Sequence, residues 1–121
     1  MQDETLFAKR IRIGRLYDVY GSLLTVRQQK IMEQYFYDDL SLGEIADAGG
    51  TSRQAVYDLL KRVEESLEKY EKKLRVLQNE ESMQFELRGA LHLLGALKEE
   101  GLGDERLQKI EDIIHKVMGD A

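Results

Sequence analysis

The sequence predicts an all-α protein, and three observations support this prediction. The 121-residue chain contains no proline, the residue that most strongly disrupts helix interiors. Apolar residues recur every three or four positions along most of the chain, which is the spacing of helices with one buried side. Ser, Thr and Asp residues stand just before several of these segments, where their side chains cap helix N-termini.

The composition and the motifs of the chain argue against an enzyme, a metal-binding protein and a membrane-spanning protein. The chain has no cysteine, and it lacks a phosphate-binding loop, an HExxH motif and a Ser/His/Asp arrangement. The charged N-terminus lacks the apolar core of a signal peptide. The longest apolar run, Ala90 to Leu97, is far shorter than the ~18 residues of a membrane span. We therefore expect a cytoplasmic binding protein that is not an enzyme and uses no cofactor or metal.

Charge is distributed unevenly along the chain, whose net charge is −5. Residues 1–62 carry nine basic and nine acidic side chains, whereas residues 63–121 carry nine basic and fourteen acidic ones. Proteins that bind DNA usually show a basic surface. The charge therefore argues against avid non-specific binding to DNA.

The first two helices have recognisable boundaries. Apolar residues at helical spacing from Leu6 to Tyr20 predict the first helix, and Gly21 is a plausible stop. Thr25 and Gln28 have the spacing of a capping box, in which each side chain satisfies a free backbone N–H of the other. The second helix should therefore follow Thr25 and end near residues 37–39.

A helix-turn-helix is the strongest local signal in the sequence. Ser41 and Glu44 form a second capping box, which opens a short helix that ends before Gly49-Gly50. Small Ala46 allows close helix packing, and Gly50 permits the left-handed backbone of the turn. Ser52, or alternatively Thr51, would cap the second helix of the motif. Val56 and Leu59 on that helix should fill its interface with the first helix of the motif.

The second helix of this motif carries the candidate binding site. Arg pairs with guanine and Gln with adenine in the major groove, while Lys and Arg one turn later can hold phosphates. The same side chains could instead contact a protein or a structured RNA, and Asp58 between them would repel phosphate. The predicted nucleic-acid-binding or partner-binding residues are Arg53, Gln54, Tyr57, Lys61 and Arg62.

The sequence predicts that this helix continues unbroken from about residue 52 to residue 81. A helix-turn-helix domain of residues 1–63 would thereby join an extension of residues 64–121. Apolar residues along the helix follow the 3.5-residue repeat of a coiled coil. We expect this stripe to form a homodimer seam, with an internal spine that packs on the last two helices as the alternative. The residues of the stripe are Val56, Leu60, Val63, Leu67, Tyr70, Leu74 and Leu77.

The remainder of the chain predicts a helical hairpin. One helix spans about Ser82 to Glu100, and Gly101 to Gly103 form a turn. Asp104 is the expected cap of a last helix. The complete prediction is thus a helix-turn-helix N-terminal part, a long heptad helix and a C-terminal hairpin.

Two segments resemble the YlxM family of small bacterial helix-turn-helix proteins: LYDVYGSLLTVRQQKIMEQYFYDDLSLGEIA and SRQAVYDLLKRVEESLEKYEKKL. The resemblance covers about Leu16 to Leu77 and extends, more distantly, to the promoter-recognition region of bacterial sigma factors. It implies an all-helical cytoplasmic protein of a Gram-positive type of bacterium. The sequence departs from the family pattern at Gly49 and Thr51, where apolar residues are usual, and this predicts a softer turn.

The resemblance also implies a function. Genes of this family commonly lie beside those for the signal-recognition-particle GTPase and its receptor. The leading expectation is therefore a regulatory or accessory protein of co-translational membrane targeting, which binds the targeting GTPase, its RNA, or both. The alternative is a dimeric DNA-binding transcriptional regulator, and a third hypothesis is a coiled-coil adaptor.

Overall fold

The computed structural model describes residues 2–119, with only the backbone of residues 2–4, and every regular element in that range is helical. A short 3₁₀ helix, Gly21–Leu23, follows α1. None of the described helices combines the length and apolar character that crossing a membrane requires. The all-α prediction is confirmed. The α-helices are α1 Gln2–Tyr20, α2 Val26–Phe36, α3 Leu42–Gly49, α4 Arg53–Leu74, α5 Val76–Glu99 and α6 Glu105–Met118.

Most of the predicted helix starts are confirmed by side-chain caps. Thr25 and Gln28 exchange both hydrogen bonds of a capping box at the start of α2, and Ser41 and Glu44 do the same at α3. The Oγ atom of Ser52, and not Thr51, accepts the backbone N–H of Ala55 at 3.1 Å. These caps satisfy backbone donors that have no partner within their own helices.

The described chain divides into two compact units. The first ends at Leu77 and the second begins at Gln78. The predicted boundary at residue 63 lies instead inside α4, where Val63 is fully buried. In the first unit α4 packs against α1, α2 and α3. The core of this unit consists of Ile13, Leu16, Tyr20, Leu24, Ile31, Met32, Ile45, Ala46, Val56, Leu60, Val63, Leu67 and Leu77.

The predicted heptad stripe, which belongs to α4 except for Leu77 in α5, lies mostly inside this core. Five of its seven residues are buried within one chain, Tyr70 is half-buried, and Leu74 is 54% exposed. The helices that cover the stripe are α1, α2 and α3. The expected dimer seam is therefore replaced by an internal spine, and the covering helices precede α4 rather than follow it. The sequence pattern shows that one side of a helix is apolar but not which helices cover it.

The prediction of one continuous helix to residue 81 is wrong. Helix α4 ends at Leu74, and α5 begins at Val76 after Arg75 adopts a left-handed conformation with φ 53° and ψ 30°. The Arg75 N–H still donates to the Glu71 carbonyl oxygen at 2.8 Å. Neither glycine nor proline occurs here, so the sequence lacks the strongest signals for a helix end, and only Lys72 and Lys73 in the last turn of α4 are typical of one.

A buried network of hydrogen bonds accounts for the break. The Tyr20 hydroxyl donates to the Glu71 carboxylate at 2.6 Å and accepts the Val76 N–H at 3.1 Å. The same Glu71 oxygen accepts the Leu77 N–H at 3.1 Å. The first donors of α5 thus have partners outside that helix, as every buried backbone donor needs. We call these four groups the junction network.

The junction network is almost completely shielded from water. Tyr20 is 2% exposed and Glu71 is 7% exposed. Burial raises the pKa of the Tyr20 hydroxyl above its ordinary value, and the hydrogen bond to Glu71 raises it further. Tyr20 therefore keeps the proton that it donates to the carboxylate.

We predict that Tyr20→Phe lowers the free energy of unfolding by about 2–3 kcal/mol, because it removes a hydrogen bond to a buried charge and leaves a backbone donor unsatisfied. Tyr37→Phe is the matched control, since its hydroxyl donates to Asp18 at 2.8 Å on the surface. The control substitution should lower the free energy of unfolding by less than about 1 kcal/mol. Urea unfolding followed by circular dichroism measures both values, and equal losses would contradict the assigned role of the network.

Arg75 gives a second prediction, of opposite sign. A non-glycine residue in the left-handed region is strained by about 1–2 kcal/mol, so Arg75→Gly should raise the free energy of unfolding by about 1 kcal/mol. Glu65→Gly, at an exposed position inside α4, should lower it by about 1 kcal/mol. Thermal unfolding of the two variants beside the native protein tests this pair. Destabilisation by Arg75→Gly would show that the arginine side chain itself is needed.

Candidate partner-binding surface

The turn between α3 and α4 has the geometry of a helix-turn-helix. Gly50 adopts the left-handed conformation with φ 64° and ψ 35°. The Thr51 N–H then donates to the Ala46 carbonyl oxygen at 3.0 Å, which closes the end of α3. Ala46 and Val56 are buried on the two sides of the turn. The predicted motif is present, and its turn is closed despite the departures at Gly49 and Thr51.

Those departures leave a hollow beside the turn. Gly49 and Thr51 line a depression of approximately 360 Å³, whose floor includes Ile31, Ile45 and Val56. A Cβ atom on Gly49 would contact only the Cγ2 atom of Thr51, at 3.9 Å. The small side chains thus reduce packing at this point without distorting the backbone.

The five predicted binding residues are all exposed on α4, but they do not form one continuous site. The Gln54 amide donates to the Asp58 carboxylate at 2.9 Å, so one of the donors that would contact a base is already engaged. Successive residues lie about 100° apart around a helix, which places Lys61 and Arg62 on different sides of Asp58. Arg53, Tyr57 and Lys61 remain together along one side of the helix, and we call these three residues the α4 surface.

Arg53 lies against the first turn of α3. A Cβ atom on Gly43 would lie 2.9 Å from the Arg53 Nε atom, so the guanidinium lies close against this glycine. The N-terminal end of a helix has a partial positive charge. The start of α3 therefore does not neutralise the charge of Arg53, and the guanidinium can attract an anionic group.

The cations of the predicted site differ from their neighbours in having no counter-ion among the described residues. Within residues 5–119, Arg53, Lys61 and Arg62 form no ion pair. Lys9 and Arg12 on α1, in contrast, pair with carboxylates of α4. Cations that remain unpaired beside paired ones are available to an anionic partner.

An open apolar groove extends from the α4 surface to α1. Its volume is approximately 460 Å³, and Tyr57 and Lys61 form part of its wall. Leu6 and Phe7, 65% and 66% exposed, are its most accessible apolar residues. The apolar residues that line the groove are Leu6, Phe7, Ile13, Tyr35, Phe36, Leu42, Tyr57 and Leu60.

Ion pairs between α1 and α4 position this groove. Arg12 donates to both carboxylate oxygens of Glu68, at 2.7 Å and 2.9 Å, and the Lys9 Nζ atom lies 3.5 Å from a Glu64 oxygen. The bond from Arg12 is the main reason why the pKa of Glu68 is lowered. Residue numbers increase together along the two contacts, so α1 and α4 run parallel. Their first turns therefore lie near each other.

Arg10 orders the other wall of the groove. Its guanidinium lies 4.9 Å from the ring centre of Tyr35 and 5.0 Å from that of Phe36. It also donates to the Tyr35 carbonyl oxygen at 2.9 Å. Stacking of a cation on two aromatic rings fixes their orientation. The apolar groove thus has a defined shape.

The α1 part of this site was not anticipated from the sequence. Leu6 counted only as the first apolar residue of a helical pattern, and Phe7 lies next to it on a different side of the helix. The pair of adjacent large apolar residues in a charged segment was the available signal.

We predict opposite effects for the two glycines of the turn. Gly49→Ala should raise the free energy of unfolding by about 0.5–1 kcal/mol, because it lowers the backbone entropy of the unfolded chain and meets no close neighbour. Gly50→Ala should lower it by about 1–2 kcal/mol, since its φ is positive. Thermal unfolding of both variants is the measurement. A destabilised Gly49→Ala would mean that the hollow is too small for a methyl group.

Comparison with known proteins agrees with this architecture. The chain matches the UPF0122 family, described as helix-turn-helix proteins, YlxM / p13 like, over residues 7–113. It is 43% identical over 109 residues to the UPF0122 protein of Shouchella clausii, covering 90% of this chain and 94% of that protein. For the UPF0122 protein of Bacillus mycoides the identity is 43% over 112 residues, 93% of this chain and 99% of the relative. The chain therefore belongs to the UPF0122 family of YlxM-like helix-turn-helix proteins.

Proposed function

We propose that this protein is a non-enzymatic accessory or regulatory protein of the signal recognition particle pathway. It acts by binding the targeting GTPase, with the particle's RNA as a second contact. Membership of the UPF0122 family and the gene neighbourhood implied by the resemblance to YlxM proteins support the pathway. The α4 surface and the groove support binding as the mode of action.

One observation carries this proposal. Arg53 and Lys61 have no counter-ion within the described chain and flank the half-exposed ring of Tyr57 beside an open apolar groove. A partner that presents both acidic and apolar groups would satisfy the cations and cover the groove at the same time. Aromatic and arginine residues in such positions dominate the affinity of protein interfaces.

The groove favours a protein over duplex DNA as the main contact. A recognition helix in the major groove is flanked by two phosphate backbones. Exposed Leu6 and Phe7 lie beside Tyr57 and Lys61, and the other cations of the groove, Lys9 and Arg10, pair with Glu64 and Asp39. Phosphates at this position would instead require free cations or hydrogen-bond donors. Contact with a protein instead removes these side chains from water, which stabilises the complex.

A dimeric DNA-binding regulator is the second candidate function. The regular turn at Gly50 and the exposed Arg53 and Gln54 at the start of α4 favour it, because recognition helices contact bases with their N-terminal residues. The bond between Gln54 and Asp58 and the net charge of −5 weigh against it. Both functions use the same helix but require different partners.

A binding assay separates the two functions. We expect the purified protein to bind the signal-recognition-particle GTPase at micromolar concentration or below. Arg53→Ala, Tyr57→Ala and Lys61→Ala should each weaken this binding by about tenfold, since interface anchors cost more than 1 kcal/mol when truncated. Lys69→Ala is the matched control because it removes the same charge from an exposed position of α4 outside the α4 surface. Titration calorimetry gives the dissociation constants.

The same assay includes the particle's RNA and duplex DNA. We expect duplex DNA to bind no more tightly than the non-specific range of about 10⁻⁴ to 10⁻⁶ M at physiological salt. A regulator would instead prefer one sequence by a factor of ~10³ or more, with a salt slope of about −0.9 per phosphate. Nanomolar binding to one DNA sequence, or no binding to either targeting component, would overturn the proposal.

A further inference from the structure

The second compact unit contains few buried side chains. It begins at Gln78 and consists of most of α5 and all of α6, which run antiparallel, since Lys98 pairs with Glu111 at 2.8 Å and Gln84 donates to the Met118 carbonyl oxygen at 3.3 Å. Between residues 78 and 119, Leu107 is the one buried hydrophobic residue, at 8% exposure. A helical hairpin with so small a core needs a further layer to bury its apolar surface.

One side of this hairpin is polar. The Lys98 ammonium donates to Gln108 at 2.7 Å and to Glu111 at 2.8 Å across the two helices. Arg88 and His92 lie about three and two turns before Lys98 on α5, on the side away from Leu97, according to the helical repeat. The acidic side chains Glu111 and Glu99 also lie on this side.

The opposite side of the hairpin is apolar on both helices. On α6, Ile110, Ile113 and Val117 lie within an arc of about 60°, and all three are exposed. On α5, the exposed residues Met83, Leu93 and Leu97 occupy the matching side. We call these six residues the hairpin face: Met83, Leu93, Leu97, Ile110, Ile113 and Val117.

The spacing within the hairpin face is that of helices that pack on other helices. Steps of three and four residues alternate along both helices, which is the 3.5-residue repeat of coiled coils and four-helix bundles. The repeat is exposed here, unlike the repeat in α4, which its own chain covers. Residues at these positions are Met83, Glu86, Ala90, Leu93 and Leu97 on α5, and Arg106, Ile110, Ile113 and Val117 on α6.

We propose that the hairpin face joins two copies of this chain into a homodimer, through a four-helix bundle. Each copy offers on the order of 500 Å² of apolar surface, so two copies bury about 1,000 Å², the lower limit for a specific interface. Two hairpins with the same repeat supply the four amphipathic helices that such a bundle needs. The acidic side chains of the polar side point away from this contact.

Charge complementarity selects the arrangement of the two copies. The apolar repeat is interrupted on α5 by Glu86, which has no ion pair within the described chain, and on α6 by Arg106, whose guanidinium reaches Asp104 at the surface. Glu86 lies near the open end of the hairpin and Arg106 near its turn. An antiparallel two-fold arrangement, in which α5 packs on α5 and α6 on α6, brings Glu86 to the level of the second copy's Arg106, diagonally across the bundle. Both symmetry-related pairs then join opposite charges.

Light scattering of the full chain, from low to high micromolar concentration, tests the dimer. We expect a dimer for the native protein and a monomer for the double variant Leu93→Glu with Ile113→Glu, which places carboxylates in the apolar contact. Phe85→Glu is the matched control, because Phe85 is exposed but lies outside the hairpin face. Amide hydrogen exchange in the first unit should be the same in all three proteins. A monomeric native protein, or a double variant that remains dimeric, overturns the proposal.

A charge exchange tests the arrangement even where the double variant fails to fold. Glu86→Lys and Arg106→Glu should each weaken dimerisation by about fivefold, and the two together should restore it. Restoration cannot arise from a general loss of stability. Its absence would overturn the antiparallel arrangement. Neither result depends on the α4 surface. The proposed binding function and the proposed dimer are therefore tested independently of each other.

Discussion

The burial of one carboxylate organises the junction on which the rest of the fold depends. Glu71 is held inside the first unit by the Tyr20 hydroxyl and the Leu77 N–H. Without these donors a buried carboxylate would cost several kcal/mol. The same bonds direct the chain out of α4 and into α5, so that Leu77 is buried in the core of the first unit although it belongs to the next helix. These hydrogen bonds thereby determine both where α4 ends and where α5 begins.

Local chemistry made most helix starts predictable from the sequence. The caps at Thr25, Ser41 and Asp104 and the turn at Gly50 act within a few residues, so their signals are contained in short segments. The break at Arg75 was missed because its cause, Tyr20, lies 51 residues from Glu71 in the chain. No local pattern encodes a hydrogen bond across that separation. An acidic residue on the buried side of a helix is a weak signal, since most such residues reach solvent.

The heptad stripe shows a related limit. Periodicity correctly identified the buried side of α4, from Val56 to Leu67. It could not identify the covering helices, because an apolar side packs equally well on its own chain and on another chain. The candidate site was likewise found only in part: its cations follow from the helix-turn-helix motif, whereas Leu6 and Phe7 join them only through the packing of α1. The candidate site thus combines side chains of the helix-turn-helix motif with side chains of α1, which is distant in sequence.

The parallel alignment of α1 and α4 has an electrostatic consequence. The backbone dipoles of two parallel helices add, and each contributes about half a positive charge at its N-terminus. Both positive ends lie at the part of the first unit where Arg53 and Lys61 form no ion pair within the described residues. These charges favour the approach of an anionic group to the α4 surface, although the chain as a whole carries a net charge of −5.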